Sequence, residues 1–301
     1  MAGQSIAYFE GEYMPLTEAR ISIVDPVVTK SDIVFDVVSV WQRRFFRLED
    51  HLDRFETSCE SVRIKPPVGR DEMRHIFAEC VDRSGFDDSC VYFCGTRGLY
   101  KGGIALGDPR DCQNGFYAYA VPYYWVVPRD RLDTGAHLQI VETRRAPSEA
   151  INQKAKNFNR MDLTKGTFEA LDAGADAPLL LSMSGHLTEG PGFNVWIVRD
   201  KTLLTPGDDL LEGVTRRTVF DLAADMGLKA EATDLSPDDL LEAPEAFISS
   251  TAGGIFPVTR VNDRTLGNGA PGLMTGQIKN RYWEKRLAGW HGTKVDDLLT
   301  H

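Results

Sequence analysis

Apolar residues in this chain follow two rhythms. Leu52, Phe55, Cys59 and Val62 recur at helical spacing in DHLDRFETSCESVR, as do Met73, Ile76, Phe77 and Cys80 in DEMRHIFAECVDRSG. Short β-branched and aromatic runs predict strands at DIVFDVVSVW and FFRL, with a tight turn at QRR between them, and at SCVYFCGTRG and GFYAYAVPYYWVV. SIAYFEGEYMPL reads as an edge hairpin. The second half opens with the strand HLQIVETRR, then the helix MDLTKGTFEALDAG, closed by Gly174. PLLLSMSG and FNVWIV are strands, and RDKTLLTP closes a hairpin. VTRRTVFDLAADMGL and SPDDLLEAP are helices, EAFISSTAGG is a strand running into small residues, and a last helix spans 273–287. Strands and helices in this order describe an α+β chain of two domains. PRDRLDTGA, 128–136, is the linker candidate, which divides a domain at 1–127 from one at 137–301.

Composition narrows the function classes. The 301 residues carry a net charge of −10, which argues against nucleic acid or an anionic membrane as partner. No run approaches the length of a membrane span, and MAGQSIAYFEGEYMPL lacks the features of a signal peptide. The five cysteines are an odd count, and the Cys90–Cys94 spacing does not make a CxxC pair. Reduced thiols in a cytoplasmic protein are therefore expected. The six histidines form no HxxxH or HxH pair, so a catalytic metal is not expected.

Four stretches and one arginine could carry chemistry. In SGHLTEGPGFNVWIVRD a carboxylate, Glu189, sits on a turn just before a buried strand. Glu beside Gly-Pro-Gly is also an ordinary solvated turn residue. LLEGVTRRTVFDLAADMG places Gly213 ahead of a helix opening with Val214 and Thr215, an anion site through its N–H groups or simply a helix cap. SSTAGG, with Ser250 and Thr251, is a second anion nest or a strand end. NQKAKNFNRMDL offers Lys154 and Lys156 before a helix. Arg54, beside the apolar face of its helix, is a third phosphate ligand or a surface arginine. Together, an amine, a carboxylate, N–H-rich cradles and an arginine match what pyridoxal phosphate demands for its aldehyde, ring nitrogen and phosphate.

The set DHLDRF, KN, TEGPGFN, LEGVTR and STAGG resembles the class IV aminotransferases, the pyridoxal-phosphate enzymes of fold type IV, over nearly the whole chain. SDIVFDVVSVW, RFFRLEDHLDRF, PYYWVV and STAGGIFPVT look closest to the (R)-selective amine transaminases. The resemblance implies pyridoxal 5'-phosphate as cofactor and a two-domain fold of the D-amino acid and branched-chain aminotransferase type. It implies Lys156 as Schiff-base lysine and proton carrier, with Lys154 the alternative, and Glu189 against the pyridine nitrogen. Arg54, Gly213, Val214, Thr215, Ser250 and Thr251 would hold the phosphate, and Asn194 would support the Glu189 loop. Lys30, Phe35, Val37, Tyr92, Arg110, Trp125, Arg160 and Ala252 would bind substrate. A homodimer acting on a small amine and an α-keto acid by ping-pong chemistry is implied. Alternatives are a D-amino acid or branched-chain transaminase, or a pyruvate-eliminating lyase of the aminodeoxychorismate type. Three positions depart from the pattern that the resemblance implies: Phe35 stands where a tyrosine is usual, Lys30 where a histidine or another residue is seen at the pocket rim, and Arg160 at an aromatic position. The glycine-rich loop from Leu99 to Asn114, expected to be mobile, carries Lys101 and Arg110 as candidates for an acceptor carboxylate.

Overall fold

The computed structural model describes residues 3–102 and 107–299, and its chain forms two compact units. The first takes the chain as far as Tyr124, then Ala155–Asn159 and the stretch from Gly289; the second takes Trp125–Lys154 and Arg160–Ala288. The chain thus divides ahead of the expected linker. Val126 donates its N–H to the Ala252 carbonyl at 2.9 Å, and Trp125 meets Phe256 edge-on, so this stretch already belongs to the second unit. Residues 131–134 form a short helix rather than a free linker.

The first unit contains β1 (Ile6–Phe9), β2 (Glu12–Pro15), α1 (Pro26–Lys30), β3 (Ile33–Trp41), β4 (Arg44–Phe46), α2 (Leu48–Ser61), α3 (Arg70–Ser84), β5 (Ser89–Thr96) and β6 (Gly115–Pro122). Gln42 and Arg43, between β3 and β4, have φ of 49° and 54°. Two left-handed residues make the tight hairpin whose twist suits the flanking strands. Alternation along β3 serves both faces of the sheet. Val34, Val38 and Val40 enter the core with Leu52 and Phe55 of α2 and Phe77 of α3. Ile33, Phe35 and Val37 point the other way and join Cys90, Cys94, Tyr92 and Tyr117.

The second unit holds α4 (Arg131–Thr134), β7 (Ala136–Arg144), α5 (Met161–Asp172), β8 (Ala177–Leu181), β9 (Glu189–Gly190), β10 (Phe193–Arg199), β11 (Thr202–Pro206), α6 (Val214–Asp225), β12 (Lys229–Thr233), α7 (Pro237–Leu241), β13 (Glu245–Ser250), β14 (Gly254–Val261), β15 (Arg264–Thr265) and α8 (Leu273–Leu287). Its sheet runs β12-β11-β10-β13-β14-β7-β8, with β9 on β10 and β15 on β14. The β11–β12, β14–β7 and β7–β8 pairs are parallel. Trp196 of β10 stacks on Phe247 and meets Phe220 of α6 edge-on, which seats that helix against the sheet.

Two later stretches return to the first unit. Residues 155–159 are tied to β3: the Phe35 N–H donates to the Lys156 carbonyl at 2.9 Å, and Asn157 forms a bridge with Val34. β16 (Gly292–Lys294) extends the first sheet to the order β16-β4-β3-β5-β6-β1-β2.

Candidate active site

In the first unit Lys156 is held from two sides. Its N–H donates to Ser58 Oγ at 3.1 Å, and its carbonyl is held by Phe35. The half-buried side chain lies over the Phe35 ring, Nζ 4.4 Å from the centroid, and Phe158 packs edge-on against that ring. Lys154 is in a different setting. It is exposed and pairs with Glu212 at 3.1 Å. Cross-strand register continues the Phe35 face into Cys94 and Tyr117, and the Val37 row into Tyr92 and Tyr119. These six side chains carry no formal charge near neutral pH. Tyr92 stacks on Tyr119 and its hydroxyl lies 2.6 Å from that of Tyr124. Arg54 engages the buried Asp36 through Nε and Nη2, both at 2.8 Å, rather than lying on the surface.

In the second unit Glu189 is 5% exposed, held in the short strand β9 opposite Asn194. It is not a solvated turn residue. The turn that follows uses Gly192 at φ 86°, and a Cβ on Gly190 would overlap the Phe193 ring. Arg145 donates from Nε and Nη2 to Glu189 Oε1 at 3.1 Å, and the Leu211 N–H donates to Oε2 at 3.1 Å. Burial pushes the Glu189 carboxyl above its usual range, against the opposing pulls of Arg145, the Leu211 N–H and Arg160. Arg145 also donates to Asp162 at 2.5 Å. Burial resists ionisation of Asp162 too, but the Ala146 N–H and Arg145 outweigh it and hold that carboxyl low.

Asn194 donates to the Leu211 carbonyl at 3.0 Å, so it and Glu189 grip the same residue. Helix α6 begins with Gly213 at its N-cap and no side-chain cap. Its opening N–H groups have no side-chain cap, and Thr215 beside them is buried, donors of the kind an anion takes. A Cβ on Gly213 would lie 2.3 Å from Asn194 Oδ1. Ser250 donates to the Gly192 carbonyl at 2.7 Å and accepts the Ala252 N–H at 3.1 Å, which braces the Ser250–Ala252 turn. Gly253, at φ 122°, leaves room beside Trp125 and Phe256.

The profile of the amino-transferase class IV family matches residues 33–261. The chain belongs to the class IV aminotransferases. A Methanocaldococcus jannaschii protein with a provisional branched-chain-amino-acid aminotransferase name is 30% identical over 293 residues, covering 96% of this chain and 99% of that one. A D-alanine aminotransferase of Bacillus licheniformis is 28% identical over 273 residues, 90% of this chain and 93% of that one. The solved T.th. branched-chain amino acid aminotransferase with pyridoxamine 5'-phosphate superposes with a TM-score of 0.89 at 25% identity, covering 98% of this chain and 100% of that one. Fold type IV and a pyridoxal-phosphate-dependent aminotransferase activity follow.

This aminotransferase carries a donor set that fits the cofactor. The N–H groups that open α6 suit a phosphate, and Gly213 keeps that helix start clear of Asn194. A buried carboxylate suits a protonated ring nitrogen, and a half-buried lysine suits an aldehyde. The expected carboxylate-binding cations are differently placed. Lys30 is exposed, with Nζ 3.3 Å from the Tyr100 hydroxyl. Arg110 is exposed and paired with Asp108, Nε to Oδ1 at 2.8 Å. Arg160 sits at the N-cap of α5, where its charge acts on Glu189. Residues 103–106 of the glycine-rich loop lie outside the described residues. Sequence reading missed Asp36, His51, Ser58, Arg145 and Asp162. Asp36 had left a signal, a charge inside the apolar run IVFDVVSV that burial obliges to find a partner.

Proposed function

We propose that this aminotransferase transfers an amino group from an (R)-amine, or another D-configured donor, to an α-keto acid such as pyruvate by a ping-pong cycle. The observation that carries this reading is an uncharged, largely aromatic face, with Phe35 beside Lys156 and the Val37–Tyr92–Tyr119 row next along the same strands. Such a face favours a donor whose substituents are apolar and disfavours a second carboxylate. Bound pyridoxal phosphate supplies the electron sink for loss of the donor's Cα proton. With the cofactor bound, Lys156 would hold its aldehyde carbon and would carry the donor's Cα proton, and Glu189 would keep the ring nitrogen protonated. Arg54, Val214, Thr215, Ser250 and Thr251 hold the phosphate, with Gly213 allowing close approach and Asn194 steadying the Glu189 loop. Trp125 and Ala252 contact the substrate, and Arg110 or Lys30 receives the acceptor carboxylate. The working form is a homodimer in the cytoplasm.

The names of the relatives favour a second reading, a branched-chain or D-amino acid transaminase. Amino transfer to pyruvate from (R)- and (S)-1-phenylethylamine, D-alanine and L-leucine separates the two. Transfer from L-leucine with none from either amine overturns the first reading. Borohydride reduction of the holoenzyme followed by peptide mapping tests the lysine: the cofactor should be found on Lys156, and Lys156→Ala should abolish both the adduct and turnover. An adduct on Lys154 would refute the assignment.

A further inference from the structure

Asp36 has no task in the roles above, yet it is wholly buried near the middle of β3, on the face that Val34 and Val38 turn toward α2. Helix α2 presents His51, Arg54 and Ser58 at i, i+3 and i+7, one polar stripe on an otherwise apolar side. Asp36 Oδ1 accepts the Val37 N–H at 2.7 Å, lies 2.8 Å from His51 Nδ1 and accepts Arg54 Nη2 at 2.8 Å, while Oδ2 accepts Arg54 Nε at 2.8 Å. Burial lowers the pKa of His51, which favours its neutral ring, and because an ionised carboxylate can only accept, Nδ1 is the nitrogen that donates. One turn on, Ser58 donates to the Arg54 carbonyl at 2.8 Å and accepts the Lys156 N–H. The carboxylate is gripped from strand and helix alike, and its two oxygens take one edge of the Arg54 guanidinium as a fork. That grip fixes the guanidinium plane and hence the direction of its remaining N–H groups.

We propose that Asp36 is the positioning residue for phosphate recognition, holding Arg54 in the one orientation that meets the cofactor phosphate. The proposal rests on the reading of Arg54 as a phosphate ligand. An arginine side chain has many rotamers, and freezing it before binding removes that ordering cost from the binding step. A competing effect exists. The Asp36 charge lies on the same guanidinium and reduces its pull on an anion. If orientation dominates, removing the charge weakens phosphate binding; if Coulomb attraction dominates, it strengthens it.

The test compares the affinity of the full-length apoprotein for pyridoxal 5'-phosphate and for pyridoxal, which lacks the phosphate. Wild type, Asp36→Asn, Arg54→Gln and the double variant are titrated by fluorescence. Arg54→Gln should weaken the phosphorylated cofactor about ten- to a hundred-fold and leave pyridoxal nearly unchanged. Asp36→Asn should weaken the phosphorylated cofactor by about ten-fold with the same selectivity, and the double variant should be no worse than Arg54→Gln. Equal loss of both cofactors, tighter phosphate binding or additive losses would overturn the proposal. An Arg54→Gln variant that still binds both cofactors as wild type does sinks the phosphate assignment itself, and the proposal with it. If Asp36→Asn does not fold, His51→Phe removes one restraint on Asp36 and keeps both charges. A severalfold loss confined to the phosphorylated cofactor then supports the proposal, and unchanged affinity overturns it.

Discussion

Glu189→Gln separates charge from shape at the residue on which the proposed chemistry turns. Glutamine nearly reproduces the glutamate volume, so the 5% exposed site should remain filled. The amide oxygen can keep the two Arg145 contacts on the Oε1 side, but the NH2 group then faces the Leu211 N–H, donor against donor. One buried donor left unmatched costs about 1–3 kcal/mol of stability. The rate should fall further than that loss suggests. The carboxylate keeping the ring nitrogen protonated is gone, and removing a group that stabilises charge in the reaction typically costs on the order of 10²-fold or more. Single-turnover kinetics with excess donor measure this step directly, and they separate it from the weaker cofactor binding that loss of the charged contact to the ring nitrogen also brings.

The same variant carries a pH signature. Burial raises the Glu189 carboxyl pKa in the folded protein. Between the unfolded value, about 4.3, and the raised folded value, the folded state binds the extra proton, so stability falls as pH rises through that window. Glutamine has no such proton. The stability of Glu189→Gln relative to wild type should therefore improve from acid toward neutral pH, as read by denaturant unfolding of the apoprotein. Wild-type turnover in Glu189→Gln would return Glu189 to a purely structural partner of Arg145. A pH-independent stability difference would refute the raised carboxyl.

Three further outcomes are expected. Gly213→Ala drives a Cβ to within 2.3 Å of Asn194 Oδ1, so the Asn194–Leu211 bond should fail at a cost of about 1–2 kcal/mol, with weaker cofactor retention measured by dialysis. Arg110→Ala should raise KM for pyruvate severalfold and leave KM for an uncharged amine unchanged, and the loss is limited because Asp108 already occupies the guanidinium. Asp36 is buried, which would raise its pKa, but Arg54 and His51 overcome this and hold it well below the carboxylate range. Its contribution to stability is therefore present above about pH 4 and lost as pH falls below it, and Asp36→Asn should flatten that part of the acid-unfolding curve.

Local patterning was enough for most elements. The apolar spacing of Leu52, Phe55 and Cys59, and the Ser236 cap with Asp239 three residues on, act within a few turns of chain, so α2 and α7 were legible. The last helix, expected over roughly 273–287, spans Leu273–Leu287. The motif residues were also legible, because Lys156, Glu189 and the Gly213–Thr215 stretch carry their signal in adjacent positions. Strands whose pairing comes from afar were not. β14 contains Pro257 within its run, and β12 is a polar edge strand that exists because β11 pairs with it in parallel. The partners of the charged groups were equally hidden. Arg145 meets Glu189 across 44 residues, and Asp36 meets Arg54 across 18, through the rest of β3, the turn, β4 and half of α2. Nothing in a local window distinguishes Arg145 from its neighbour Arg144; only the folded sheet turns one inward and leaves the other exposed. Periodicity and motif spacing therefore determined the elements and the family. Which buried charges hold the site in place was decided by tertiary packing, because a buried charge is tolerated only where the fold delivers its counter-charge.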